Sequence, residues 1–475
     1  MDTHRSTGDE KMLRFVKQYF PIRNVMFIIL EGEVIIVSFI LVSILFSFFT
    51  SFEFDVLLFL RIVLVMIVCQ TCLYYNDLYD FTMVKTLPVM IVKLLESLGV
   101  TSIVLAVVYL VFPVTTINHL VFVLSILLLI VFITSWRLAY LNILDKGLFN
   151  EGIIIVGSNP LSMEIMEKIQ NTIDCGYHIK AFFPYTDHDV SHKIKPLEIK
   201  LITDIKDLCD VAVSNQVKKI VTVMKEQRGS FPMKELIECR TVGIEIIDGC
   251  SFYEHLSGKV LADKINPSWL VFSDGFKKSS VRNLIKRTED IVGSLIALIL
   301  LSPVIIITAI LVKLDSPGPV LFAQDRVGRH KKEFIMHKFR SMVADAEKMT
   351  GPVWANEDDP RITRVGRIIR KYRIDELPQF WDVLMGRMSL VGPRPERKHF
   401  TDKLEKDIPF YSQRFLAKPG LTGWAQVSYS YGATVDDALE KLNYDLFYIK
   451  NMSTTFDLVI IFRTVKIVIF GRGAR

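Results

Sequence analysis

The sequence is poor in the residues that build disulfide frameworks and metal clusters. It has six cysteines in 475 residues, scattered without the spacing of a disulfide framework, which favours a reducing compartment. Cys69 and Cys72 form a CxxC pattern, but the pattern lies inside an apolar run and is interpreted as part of a membrane helix. The nine histidines form no cluster with metal-ligand spacing. A secreted disulfide scaffold and a zinc site are therefore not predicted.

The sequence also lacks a basic stripe interleaved with aromatic residues, internal repeats and low-complexity tracts. The formal net charge of +6 suits anionic partners such as a phospholipid, a lipid phosphate or a nucleotide, whereas nucleic acid is not predicted as a partner. Hydrophobic residues make up 51% of the chain and charged residues 23%. The chain therefore combines a membrane part with soluble parts, and its length allows three or more structural units.

Four long apolar runs occupy the first third of the chain. They cover about residues 25–49, 57–75, 88–112 and 120–141. Each is long enough to cross a hydrocarbon core of ~30 Å, and no signal-peptide cleavage site follows the first. The basic segment 1–24 and the basic stretch 137–146 place both ends of this four-helix domain, residues 25–145, on the cytoplasmic side. Charges within the runs, such as Glu31 and Glu96, are interpreted as lying near a run's end or packing inside the bundle.

Residues 151–250 alternate short apolar strands with helix-like segments. This alternation predicts a small doubly wound α/β unit. The first strand runs into a turn with a single glycine, Gly157, instead of the glycine-rich dinucleotide fingerprint. We therefore expect a structural or regulatory role for this domain in preference to NAD binding. Residues 251–285 are predicted to form a linker.

A fifth apolar run, residues 291–312, differs from the first four. Basic residues flank it on both sides, which argues that both of its ends stay in the cytoplasm. Ser302 and Pro303 lie in the middle of the run, where proline removes a backbone hydrogen bond and kinks a helix. The serine hydroxyl is able to bond a freed carbonyl. The pattern predicts a re-entrant helix that bends and leaves the membrane on the side it entered, with a fifth true span as the alternative.

The most informative stretch is residues 370–397, RKYRIDELPQFWDVLMGRMSLVGPRPER. It contains the adjacent carboxylates Asp375 and Glu376 and, shortly after them, Pro378, which is well tolerated in the first turn of a helix. Alone, such a pair is most often a helix cap, because the helix dipole favours carboxylates at the N-terminus. The flanking arginines favour phosphate chemistry instead. Arginine binds phosphate through paired hydrogen bonds, and a carboxylate is able to hold Mg²⁺ or to attack phosphorus.

This stretch resembles the signature of the bacterial polyprenyl-phosphate sugar-1-phosphate transferases, the monotopic phosphoglycosyl transferase superfamily. The similarity covers IDELPQFWDVLMGRMSLVGPRPE and continues through KPGLTGWAQ, residues 418–426. Residues 248–276 and the closing GRGAR resemble the exopolysaccharide subgroup associated with PEP-CTERM sorting. The domain at 151–250 resembles the Rossmann-like domain of the large members, and Ser302–Pro303 resembles the break in their re-entrant helix.

The resemblance implies a membrane protein of α plus α/β class: a four-helix transmembrane bundle, a Rossmann-like domain, and a mainly α catalytic domain at 286–475 that carries the re-entrant helix. The catalytic domain would face the cytoplasm at the bacterial inner membrane. The implied reaction transfers a sugar-1-phosphate from a UDP-sugar to undecaprenyl phosphate, the initiating step of exopolysaccharide biosynthesis.

The resemblance also assigns roles to individual residues. Asp375 would attack the sugar-bearing phosphorus and form a covalent aspartyl-phosphosugar, while Glu376 would bind Mg²⁺. The residues implied in substrate and phosphate binding are Arg326, Lys338, Arg340, Arg370, Arg394, Lys418 and Gln426. The family resemblance is also compatible with a homodimer, and glucose or galactose is the sugar expected by analogy.

Three alternatives stay open. A membrane-anchored nucleotide-sugar dehydratase also joins four spans to a Rossmann unit, but its GxxGxxG turn and Tyr-x-x-x-Lys pair are not in the expected places. A processive glycosyltransferase would need a metal-binding DxD motif in a nucleotide-sugar fold, and no convincing one is present. A non-catalytic assembly scaffold would use the Asp-Glu pair only as a helix cap.

Overall fold

The computed structural model describes residues 22–49, 55–79, 87–145, 147, 150–172, 175–184, 200–202, 204–224, 231–264, 275–276, 278–343, 359–429, 432 and 434–471. Nearly all of the basic N-terminal segment and of the closing GRGAR therefore lies outside the described residues. The chain divides into two compact units, Met1–Phe252 and Tyr253–Arg475.

The first unit begins with four long apolar helices: α1 Ile22–Ser47, α2 Val56–Tyr75, α3 Leu87–Val111 and α4 His119–Asp145. By length and composition each is able to cross a membrane, which confirms the four predicted runs. Helix α2 begins after Asp55, whose carboxylate accepts a hydrogen bond from the Leu58 N–H at 2.7 Å. The helices pack through apolar side chains that include Ile35, Phe39, Ile62, Leu94 and Leu129.

One charge inside the apolar runs forms a buried ion pair. Arg137 Nη2 lies 2.7 Å from Glu31 Oε1, and both side chains are at most 2% exposed. Arg137 also donates a hydrogen bond to the Leu78 carbonyl at 2.6 Å. The pair links α1 and α4 to the residues after α2, as predicted for Glu31, whereas Glu96 is exposed on the surface of the bundle.

The rest of the first unit is an α/β domain with a five-stranded parallel sheet: β1 Glu151–Val156, β2 Tyr177–Phe183, β3 Lys200–Leu201, β4 Lys219–Thr222 and β5 Glu245–Asp248. The strand order is β3-β2-β1-β4-β5, the order in which doubly wound sheets place their first five strands. Ile153 through Val156 are fully buried, because helices cover both faces of a parallel sheet. The sequence pattern does not indicate β3, which is too short to show alternation.

Helices alternate with these strands: α5 Pro160–Asn171, α6 Leu208–Ser214 and α7 Met233–Thr241. Gly157 follows β1 with a φ of 108°, a backbone conformation that side chains disfavour. A Cβ at this position would also press on the Val223 backbone and the Met224 side chain. The single glycine of this turn is therefore explained by backbone geometry and packing.

The predicted linker 251–285 contains the end of helix α8, Gly249–Ser257, and the start of helix α9, Ser280–Leu300. Residues 265–274 and 277 lie outside the described residues. The Ala262 N–H donates to Asn443 Oδ1 at 2.9 Å, and Lys450 Nζ lies 2.7 Å from Glu254 Oε2. The described part of the linker is thus held against helix α15, Val435–Asn451.

Helix α9 and helix α10, Ser302–Asp315, are bent by 63° at a one-residue break. Pro303 lies in the first turn of α10, where it interrupts the hydrogen bonds of a continuous helix. Ser302 Oγ donates to the Ile299 carbonyl at 2.8 Å. The bend lies at the predicted Ser-Pro break, while α9 begins at Ser280, eleven residues before the predicted apolar run.

The remainder of the second unit is mainly helical, with two small sheets. Strands β6 Leu321–Val327 and β7 Glu333–Phe339 form an antiparallel hairpin, and β8 Ser389–Val391 pairs in parallel with β9 Gly420–Thr422. The helices after α10 are α11 Arg364–Lys371, α12 Gln379–Leu384, α13 Lys398–Asp407, α14 Trp424–Ser428, α15 and α16 Thr454–Ile469. The segments beside β8 and β9 approach each other closely. A Cβ on Gly392 would collide with the Lys418 carbonyl, and a Cβ on Gly420 would collide with the Gly392 backbone.

Candidate active site

Asp375 and Glu376 lie in a short 3₁₀ turn, Ile374–Glu376, that leads through Pro378 into helix α12. This confirms the prediction that the pair lies just before a helix. Arg373, the preceding residue, has φ 52° and ψ 24°, a left-handed conformation that is uncommon outside glycine. Asp375 is 8% exposed and Glu376 is 6% exposed, so both carboxylates are withdrawn from bulk water.

Three cations surround the Glu376 carboxylate. Lys338 Nζ lies 2.8 Å and Arg394 Nη2 lies 2.7 Å from Glu376 Oε1. Arg373 Nη1 lies 3.7 Å from Oε2. Lys338 comes from strand β7 and Arg394 from the loop after β8, so three separate segments of the chain converge on one carboxylate. The two predicted phosphate-binding residues Lys338 and Arg394 are thereby brought to the dyad.

The two neighbouring carboxylates have opposite electrostatic environments. Burial raises the pKa of Asp375 to about 6, a rise that Lys338 opposes and the Glu376 charge supports. Burial alone would raise the pKa of Glu376 too, but Arg394, Lys338 and Arg373 together hold it well below its usual range. Two titratable groups whose environments push their pKa values apart are typical of a site that gives them different tasks.

Arg370 and Arg326 also lie around this centre. Arg370 lies in α11 and its charge lowers the pKa of Asp375. Arg326, on strand β6, donates from Nη1 to the Pro395 carbonyl at 3.1 Å and from Nη2 to Gln324 Oε1 at 2.6 Å. Arg326 therefore contacts both its own strand and the loop that carries Arg394.

In the described part of the chain, the other predicted binding residues have their contacts elsewhere. Arg340 Nη2 donates to the Ser316 carbonyl at 2.6 Å and to the Val312 carbonyl at 3.3 Å, at the end of α10. Gln426 Nε2 lies 3.5 Å from the Leu421 carbonyl. Lys418 is half-buried, and burial followed by the charge of Arg287 lowers its pKa. These three residues stay predictions as substrate contacts.

The base of helix α9 is fastened to the dyad helix. Arg287 donates from its two terminal nitrogens to the Val383 and Leu384 carbonyls at 2.7 Å each, the last carbonyls of α12. Asp290 accepts hydrogen bonds from Ser389 Oγ and the Leu390 N–H at 2.9 Å each. Because helix ends leave carbonyls unpaired, the arginine completes α12 and couples it to the apolar helix pair.

Two arginines and one tryptophan have contacts that the sequence motifs do not predict. The spacing of Arg367, Arg370 and Arg373 predicts a shared helix face, but α11 ends at Lys371 and Arg373 turns toward Glu376. Arg414 is 7% exposed and supports the loop of Arg394. Trp424 is compatible in sequence with an interfacial position, substrate stacking or core packing; it is 5% exposed and donates to the Gly258 carbonyl at 2.8 Å, so it packs in the core.

Comparison with known proteins places this architecture in a family. Residues 281–471 match the family described as bacterial sugar transferase. The UDP-galactose-lipid carrier transferase of Erwinia amylovora is 33% identical over 350 residues, which are 69% of this chain and 70% of the relative. The undecaprenyl-phosphate galactose phosphotransferase of Salmonella typhimurium is 32% identical over 368 residues, 73% and 74% of the two chains. The chain belongs to the bacterial sugar transferase family, which confirms the resemblance seen in its motifs.

A third relative differs in its sugar. The UDP-N-acetylgalactosamine-undecaprenyl-phosphate N-acetylgalactosaminephosphotransferase of Aeromonas hydrophila is 44% identical over 240 residues, which are 50% of this chain and 56% of the relative. The chain thus spans little more than half the length of this relative. The names of the three relatives carry two different sugars, so membership of the family does not choose between them.

Proposed function

We propose that this protein transfers a sugar-1-phosphate from a UDP-sugar to undecaprenyl phosphate and releases UMP. The observation that carries the proposal is the buried Asp375–Glu376 pair, in which one carboxylate is more basic than usual and its neighbour is held ionised by three cations. Two of the relatives are named as undecaprenyl-phosphate sugar phosphotransferases and one as a UDP-galactose-lipid carrier transferase, and these names support the substrate class.

Asp375 is the nucleophile in this proposal. Its pKa of about 6 leaves it largely ionised at pH 7, yet more basic than an exposed carboxylate, and basicity favours attack on phosphorus. One carboxylate oxygen forms a bond to the sugar-bearing phosphorus, and the bond from that phosphorus to UMP breaks. A phosphate oxygen of undecaprenyl phosphate then attacks the same phosphorus, releases the Asp375 carboxylate and yields undecaprenyl-diphospho-sugar.

The cations around Glu376 have the charge that this reaction needs. Lys338, Arg373 and Arg394 outnumber the two dyad carboxylates, which leaves the site net positive before substrate binds. This positive charge attracts an incoming diphosphate, and side chains fixed in advance stabilise the charge that develops on the leaving UMP. Arg394, whose side chain is 37% exposed, is the cation best placed to reach the donor.

Mg²⁺ fits this donor set as a partner of the substrate. Among the described residues no three His, Cys, Asp or Glu side chains form a metal cluster, and Mg²⁺ commonly needs only one or two carboxylates beside substrate phosphates and water. Glu376, ionised over the whole physiological pH range, would hold it. When bound, the ion would supply Lewis-acid stabilisation of the phosphate oxygens.

The membrane arrangement follows the same proposal. The structure has four helices that are long and apolar enough to span a membrane and one helix pair bent by 63°. This set fits four spans and a re-entrant helix at the bacterial inner membrane. Basic residues on both sides of the apolar run 291–312 favour a cytoplasmic active site. Because Arg287 and Asp290 fasten the base of α9 to the dyad region, this insertion would set Asp375 near the depth of the lipid phosphate. The product would initiate exopolysaccharide synthesis.

Release of UMP tests the proposal. The full-length protein in nanodiscs is incubated with Mg²⁺, undecaprenyl phosphate and a panel of UDP-sugars, beside Asp375→Asn and Glu376→Gln variants. Lipid-dependent UMP with one sugar, absent from both variants, is expected and names the donor. Release of UDP would instead indicate an ordinary glycosyltransferase. No release with any donor would favour the scaffold alternative and contradict the proposal.

A further inference from the structure

The loop that presents Arg394 is irregular yet fixed by its carbonyl groups. Pro393 and Pro395 have no N–H, so the loop Gly392–Glu396 is unable to form a regular ladder. Its carbonyls and that of Val391 accept hydrogen bonds from outside the loop instead. The donors are Tyr448 Oη to Val391 at 3.0 Å, Gly420 N to Pro393 at 2.9 Å, Arg414 Nη2 to Arg394 at 2.9 Å, Arg326 Nη1 to Pro395 at 3.1 Å and Val327 N to Glu396 at 2.9 Å.

Two of these donors are arginine side chains: Arg414 donates to the carbonyl of Arg394 and Arg326 to the carbonyl of Pro395. Arg414 is 7% exposed, and its Nη2 also lies 3.0 Å from Asp445 Oδ2, while its Nη1 donates to Tyr411 Oη at 2.5 Å. Asp445 and Tyr411 are each 2% exposed. Arg414 is therefore held by a buried carboxylate and a buried hydroxyl in the one orientation that reaches the Arg394 carbonyl.

Burial of the Arg414–Asp445 ion pair carries a desolvation penalty, so stability alone does not explain it. Taking an arginine and an aspartate out of water costs several kcal/mol per ion in real proteins, and such pairs are weak evidence for stability. Burial raises the pKa of Asp445 to about 6 even beside Arg414, so the surroundings disfavour the charged carboxylate. The pair fixes the orientation of the Arg414 guanidinium, because this planar group donates hydrogen bonds in fixed directions.

We propose that Arg414 and Arg326 are positioning residues for phosphate transfer: by holding the carbonyls of Arg394 and Pro395, they keep the Arg394 guanidinium against Glu376. The inference rests on the proposed function and assigns Arg326 a task that differs from direct phosphate binding. The 2.7 Å contact between Arg394 and Glu376 would open if the loop shifted, and a displacement of about 1 Å at a catalytic group costs on the order of 100-fold in rate.

A double-mutant cycle tests the inference in the full-length protein in nanodiscs. Arg414→Lys keeps the charge beside Asp445 but loses the planar fork, and we expect it to lower kcat for UMP release by about 100-fold with a smaller change in KM. In an Arg394→Ala background, the same substitution is expected to change kcat by less than about 2-fold, because the group it positions is gone. Arg326→Lys provides an independent second variant with the same expected pattern.

Arg329→Lys is the matched control. Arg329 also donates to a backbone carbonyl, that of Leu416 at 3.1 Å, but outside the loop of Arg394, so this variant should keep the wild-type kcat. Equal fold losses for Arg414→Lys with and without Arg394 would show a general loss of structure and overturn the inference alone. A wild-type protein that releases no UMP with any donor would overturn the proposed function together with it.

Discussion

At the scale of single residues, the site depends on two adjacent carboxylates that differ in what surrounds them. Glu376 is bound by Lys338 and Arg394 at 2.8 and 2.7 Å, whereas Asp375 is buried beside it without an ion pair of that length among the described residues. Position in the chain does not separate the two roles, since the residues are neighbours. The difference arises from the tertiary fold, which places the side chains of Lys338 and Arg394 in direct contact with Glu376.

The pKa of Asp375 leads to a prediction for the pH–rate profile. A carboxylate with a pKa of about 6 loses its nucleophilic form as the pH falls through that value. We expect kcat/KM for UMP release to fall about tenfold per pH unit below pH 6 and to level off above pH 7. Measurement between pH 4.5 and 8 checks this, with protein stability followed in the same buffers. A profile flat down to pH 5 would contradict the nucleophile assignment.

The same pKa predicts that Asp375 destabilises the fold at neutral pH. Its folded value of about 6 lies above the ordinary 3.8, so between these values the folded state holds a proton that the unfolded state releases, and stability falls as the pH rises through this window. Asp375→Asn should therefore raise the midpoint of thermal unfolding at pH 7 by ~2–6 °C and have no such effect near pH 3.5. The exposed Asp402→Asn is the control. A lower midpoint for Asp375→Asn at pH 7 would show that its charge is stabilising.

At the scale of secondary-structure elements, the loop of Arg394 depends on the close approach of the chains at β8 and β9. A Cβ at Gly392 would collide with the Lys418 carbonyl, so the strands would have to separate. We expect Gly392→Ala to lower the midpoint of thermal unfolding and to abolish UMP release, because the loop after β8 would move.

Gly99→Ala is the comparison for that substitution. Gly99 lies inside helix α3 with open space around its Cβ position, and alanine is the better helix former. The Gly99 variant should therefore be as stable as the wild type or slightly more so. Equal midpoints for the wild type and Gly392→Ala would show that the strand contact at β8 tolerates a side chain.

The sequence predicts the helices of this protein better than it predicts the partners of individual side chains. The four apolar helices and the bend at Ser302–Pro303 were predicted because hydropathy and proline act locally. Arg373 was placed on a helix that ends two residues earlier, since a left-handed residue leaves no pattern in a single sequence. The sequence also does not predict the partners of Arg340 and Arg414, because the carbonyls and the carboxylate that accept from them lie 20 to 31 residues away in sequence.

At the scale of the whole molecule, hydrogen bonds connect the apolar helix pair to the elements that flank the dyad. Arg287 and Asp290 tie α9 to α12 and β8 at 2.7–2.9 Å. Under the proposed membrane arrangement, the depth of α9 would therefore set the depth of Asp375. The family-matched part of the chain, residues 281–471, contains both the apolar helix pair and the dyad. Four further helices in the first unit are long and apolar enough to cross a membrane, and the buried Glu31–Arg137 pair links the first of them to the fourth.

Trapping the intermediate tests the central claim most directly. The full-length protein is incubated with Mg²⁺ and the UDP-sugar it accepts, without undecaprenyl phosphate, and the peptide that contains Asp375 is examined by mass spectrometry. We expect this peptide to gain the mass of one phosphosugar, to lose it when undecaprenyl phosphate is added, and to gain nothing in Asp375→Asn. An unmodified peptide in a preparation that still releases UMP when lipid is present would show direct transfer and contradict the covalent mechanism.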